Sequence, residues 1–202
     1  MSLIKLNNRA VKDVTEFGSI SSLGSLTHIS TATASSSASI EFTSGIDSTY
    51  KEYVFYFHSI HPQNDNVPFT FNGSIDGGST YAVTKTTTLF RVYHYENDSG
   101  AGLGYRPTQD LAQSTGFQDL VDNVGNDADT SCSGCLRIFN PSSTTFVKHF
   151  LSETIVPYQD ELAWHGFVGG YFNDGANDIN AIKFQFTSGN IDSGEILLFG
   201  VN

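Results

Sequence analysis

Apolar side chains recur at every second position in one stretch of this chain after another, whereas beyond residue 17 helical spacing is scarce. Residues 51–59 (KEYVFYFHS) place Tyr53, Phe55 and Phe57 in one phase and Val54, Tyr56 and His58 in the other. A strand apolar in both phases predicts a central position between two layers. Residues 66–75 alternate Val67, Phe69 and Phe71, then run into Asp76-Gly77-Gly78, the composition of a tight turn. The same reading gives strands at 25–33, 37–42, 87–95, 134–140, 145–152, 164–172, 180–187 and 195–201, roughly ten in all. Two turn-rich acidic stretches, 96–104 and 121–133, are expected as loops at the ends of the domain, and 108–118 as one short helix. The small-residue run 30–39 (STATASSSAS) is expected to turn between the first two strands.

Many short strands without intervening helices predict an all-β fold, a jelly-roll-like β-sandwich over residues 25–202. Sixteen Phe and nine Tyr, against one Met and one Trp, suit that pleated interior. At 202 residues the chain is long enough to bury a core without staples. Its two cysteines set no disulfide framework.

Charge separates the head of the chain from its body. The formal net charge is -11, but Lys5, Arg9 and Lys12 give the first twelve residues +3 and leave -14 on the rest. An acidic, sparsely charged body argues against nucleic acid and anionic membrane, since phosphate contacts need clustered Lys and Arg. No apolar run approaches the ~18 residues that span a bilayer, and residues 1–6 lack the apolar core of a secretory signal, so no membrane insertion is expected. Residues 1–24 are read as an attachment arm. Leu3, Leu6, Ala10 and Val14 follow helical spacing, while LIKL suits addition to a neighbour's sheet edge. Either way, a segment this short is expected to gain order on binding.

Candidate chemistry is sparse. Cys132 and Cys135 have CxxC spacing, but no second ligand pair follows and the flanking CLRIFN reads as a strand, so the favoured reading is small residues at a strand entrance. His58, His61 and Asp65 suggest a metal set, against which stands a strand-end turn whose imidazoles cap backbone groups. His94, His149 and His165 are expected at an interface or the core edge. Asp122, Asn123, Asn126, Asp127 and Asp129 offer oxygen ligands without the fixed register of a calcium loop. Glu153, Asp160 and Glu161 near Trp164 have the composition of a sugar site, while a buried Trp164 is the favoured alternative. Neither a GxSxG elbow nor a phosphate-binding glycine loop occurs.

Several stretches, SLIKLNNRAVKDVTEFGSISSLGSL, STYKEYVFYFHSIHP, SIDGGSTY, FNPSSTTFVKHF and NAIKFQFTSGNIDSGEILLFGV, together resemble a group of virion structural proteins of tailed bacteriophages, notably viruses of marine cyanobacteria. They are spread over nearly the whole chain. The resemblance implies a non-enzymatic virion protein, assembled in the host cytoplasm, without cofactor or catalytic residue. It further implies that Leu3, Ile4, Leu6, Asn7 and Asn8, with the charges of Lys5 and Arg9 beside them, dock on other virion proteins, the major capsid or tail proteins. Ile196, Leu198 and Phe199 fall on the closing strand. A homotrimer is expected. The absence of a shaft sequence favours capsid decoration or cement. The alternative is a short tail or head fibre binding the host surface, a glycan among its candidate ligands, through the two loops, Asp127, Asp129 and the region of Trp164. A carbohydrate-binding or glycan-cleaving jelly roll is the reading from another class.

Overall fold

Alternation becomes strands throughout the computed structural model, which describes residues 25–158 and 162–202. These are β1 (Leu26–Thr33), β2 (Ile40–Phe42), β3 (Glu52–Pro62), β4 (Val67–Ser74), β5 (Lys85–Tyr95), β6 (Ala101–Tyr105), β7 (Gln118–Val124), β8 (Cys132–Phe139), β9 (Lys148–Tyr158), β10 (Leu162–Phe172), β11 (Ala181–Phe186) and β12 (Ile191–Val201). The large sheet has the order β1-β12-β3-β8-β9-β10-β5-β6 and the small one β2-β11-β4-β7. Together they form the expected all-β sandwich. The attachment arm, with Leu3, Ile4, Lys5, Leu6, Asn7, Asn8 and Arg9, lies outside the described residues, as do Asp160 and Glu161.

The two sheets meet over aromatic rings. Phe184 on β11 sits at the centre, with ring centroids 5.3 Å from Phe55, 5.2 Å from Phe57 and 6.3 Å from Phe42, all edge-on. Edge-to-face contact suits the ring quadrupole, and full burial of each such side chain contributes about 1.5–3 kcal/mol. Two lysines also end in this interior. Lys85 Nζ donates to Asn72 Oδ1 (2.6 Å) and to the Val83 carbonyl (3.1 Å), and Lys148 Nζ donates to the carbonyls of Asp174 and Asn177. These acceptors replace lost hydration, yet burial still lowers the Lys85 ammonium to about 7.

Two strands arise where loops are expected. β6 hides in 96–104 because Gly102 and Gly104 dilute its alternation, and only pairing with Phe90–His94 of β5 draws it into the sheet. β7 hides in 121–133 because Asp119, Asp122 and Asn123 read as turn residues. In the fold Leu120 and Val121 are fully buried, while Asp122 takes an ion pair from Arg106 (2.5 Å) and a hydrogen bond from Gln109.

The short helix expected over 108–118 is not formed. Its backbone bonds to β5 instead of to itself: Thr87 N to Leu111 O (2.9 Å), and a reciprocal pair between Lys85 and Ser114 (2.9 and 3.0 Å). Gln118 adds side-chain bonds to the Gln109 carbonyl and to Thr87. This loop covers the part of the β5 edge that β6 leaves open.

Candidate functional site

Each strand of the large sheet has a second face, pointing away from the small sheet. The two-phase pattern of residues 51–59 predicts a layer on both sides of β3. Among the described residues the expected second layer is missing: Tyr53, Phe55 and Phe57 are buried against the small sheet, and no strand covers Tyr56 and His58 on the other side. β5 and β9 repeat the pattern, with Leu89 and Val156 inward and Phe90, Val92, Leu151 and Ile155 outward.

Register gathers these outward residues into one patch. Phe90 lies between Phe167 of β10 and Tyr105 of β6; Val92 lies between His165 and Leu103; Ile155 on β9 neighbours His165. Phe90 and Phe167 stack with centroids 4.9 Å apart and planes 13° from parallel. Nine large apolar side chains are exposed among the described residues, and six of them lie on β9, β5 and β6, in the half of the sheet that β10 joins. Leu103, 70 % exposed, is the most open. That concentration separates the patch from the scattered apolar residues that any surface carries.

The patch is nearly free of charge. On β9, β10, β5 and β6 the one carboxylate of the outward phase is Glu153, whose Oε1 lies 2.8 Å from His165 Nε2. Towards β3 and β8, Arg137 Nε donates to Glu52 at 2.6 Å. Shallow grooves cross the face, one of about 400 Å³ between Phe90, Phe167, Leu151 and Arg137.

The other expected site residues are dispersed. Trp164 is fully buried on the inward face of β10, so it meets no receptor, and its phase puts it on the side of the sheet opposite Glu153. Gly166 makes this burial fit, since a Cβ there would stand 2.0 Å from the indole ring. Asp127 and Asp129 are exposed between β7 and β8, where they line a groove with Glu96 and Pro157. Asp122 belongs to β7 rather than to that loop, and Asn123 bonds the Tyr158 hydroxyl at 2.9 Å.

Cys132 faces the core and Cys135 is half-buried on the outward face. Burial raises both thiols above their ordinary range. His61 Nδ1 lies 2.6 Å from the Thr130 carbonyl and His58 3.4 Å from Glu195, so the pair points to separate partners. Of the remaining histidines, His94 pairs with Asp98 at 3.0 Å and His149 lies beside the Tyr171 ring. Among the described residues no group of three or more His, Cys, Asp or Glu is placed to hold a metal ion.

No protein-family model, no curated protein and no solved structure matches this chain.

Proposed function

We propose that this protein is a non-enzymatic structural component of a tailed-phage particle, a jelly-roll-like sandwich fastened by residues 1–24 and displayed on the capsid as a decoration or cement protein. The sequence resemblance supplies the setting. The observation that carries a structural role is the apolar patch on the outer face of the large sheet over β9, β10, β5 and β6. A regular, nearly uncharged surface of aromatic and branched side chains suits permanent contact with protein, because it loses little solvation when covered. Particle proteins also gain from repetition: modest contacts made by many copies on a symmetric lattice add up to lasting attachment.

The second reading, a short fibre, draws on Asp127 and Asp129, which stand exposed at the β7–β8 end of the sandwich. In that case this end meets the host surface and the arm meets the tail. Density-gradient fractionation of lysate from a host infected with the encoding virus tests the common part of both readings. The protein is expected to band with DNA-filled particles. Its recovery only as free protein at the top of the gradient contradicts a virion role. Immunogold labelling of the banded particles then separates head from tail.

A further inference from the structure

We infer that the outward face of β9, β10, β5 and β6 is the contact surface for a second copy of this chain. The inference rests on the proposed structural role only in naming what the contact builds; the geometry stands without it. Phe90, Val92, Leu103, Tyr105, Leu151 and Ile155 form the apolar surface.

Three properties select a second copy over other occupants. Size comes first. Four strands from β9 to β6, about 4.8 Å apart, and three rungs about 7 Å apart give a flat footprint on the order of 400 Å², about half of the ~800 Å² that each partner contributes to a standard stable interface, which suits a weak, reversible contact between copies. Charge comes second. Residues 25–202 carry -12, and an acidic surface repels its own copies least where charge is sparse; the strands of this patch hold one outward carboxylate, Glu153 beside His165, and at its edge the Tyr105 hydroxyl donates to Asp110. A basic partner would find its attraction elsewhere on the body, whereas an identical patch, with Glu153 hydrogen-bonded to His165, brings few charges to the contact. Shape comes third. The face is a pleated sheet in continuous register from β9 to β6, and two such faces pack with their strands about 30° apart, as sandwich layers do. Branched aliphatic side chains, Val92, Leu103, Leu151 and Ile155, surround the Phe90–Phe167 stack and suit dry packing better than a sugar, which needs hydroxyl partners around a ring.

Sedimentation equilibrium of the full chain from about 1 to 100 μM tests this, because small contacts of this kind sit at the weak end of specific association. The wild type is expected to self-associate, and Leu103→Asp with Ile155→Asp to weaken association at least 100-fold. Both positions are exposed, so far-ultraviolet circular dichroism and the melting temperature of the dilute variant should match the wild type. Phe146→Asp, an equally exposed apolar position outside these strands, is expected to leave association unchanged. A wild type that stays monomeric at 100 μM overturns the inference, as does association that survives the double substitution or falls equally with Phe146→Asp. A monomeric wild type whose double variant no longer joins particles assigns the face to a different virion protein and overturns the second-copy contact while sparing the virion role. Self-association through the face in a protein absent from particles supports the contact and sinks that role instead.

Discussion

The two faces of the large sheet are built from the same strands in opposite phase, and over β9, β10, β5 and β6 both are apolar. The inward face is closed by the small sheet, with Trp164, Phe55, Phe57 and Phe150 buried and two lysine ammonium groups bonded to amide and carbonyl oxygens. The outward face carries Phe90, Leu103 and Ile155 into solvent. A one-layer surface needs only one apolar phase. Apolar side chains in the second phase of β5 and β9 add nothing to the core, and the inferred contact between copies is what would bury them.

The contrast breaks most visibly at the centre of the inward face. Phe184→Ala removes the ring around which Phe42, Phe55 and Phe57 pack, and is expected to lower stability by about 3–5 kcal/mol, read from urea denaturation. Gly166→Ala comes next. Its added methyl meets the Trp164 indole at 2.0 Å, and the resulting overpacking should cost about 1–3 kcal/mol by the same measurement.

Buried ionisable groups provide a subtler test through pH. Burial, with the nearby Asp122 carboxylate adding to it, raises Asp119 from 3.8 to about 7, so the folded chain keeps a proton that the unfolded chain releases. The stability this contributes is full below pH 3.8 and is lost as pH rises through 7. Lys85 slopes the other way. Its folded value near 7 lies below the ordinary 10.5, so stability rises with pH between those two values. Melting curves across pH should lose the acidic-side slope in Asp119→Asn and the alkaline-side slope in Lys85→Met. The smallest effect belongs to the outward face. Leu103→Asp and Ile155→Asp should each shift the stability of the dilute, dissociated protein by no more than about 0.5 kcal/mol.

Much of the sandwich was legible because its strands alternate and end in residues that can turn. β3, β4 and β10 lie where their period-two pattern puts them, and Gly77 and Gly78 take the positive φ (72° and 93°) of the turn that Asp76-Gly77-Gly78 announces. β6 and β7 are strands through pairing rather than propensity: Gly102 and Gly104 on one, Asp119 and Asp122 on the other, argue locally for loops. The loop at 108–118 resembles a helix only until β5 offers its backbone an edge. The outward face was half visible. The two-phase pattern of residues 51–59 predicts a covering layer on both sides, and among the described residues only one is present. Only strand order, fixed by contacts remote in sequence, places β9, β10, β5 and β6 side by side. Trp164 was readable as core or as contact until the phase of β10 turned it inward.

Residue-level oxidative footprinting of the full chain at low and high protein concentration tests most directly the claim that the outer face closes against another copy. Labelling of Phe90, Leu103, Tyr105 and Ile155 should fall several-fold at high concentration while Phe146 stays constant. Equal labelling of those four residues at both concentrations would contradict it.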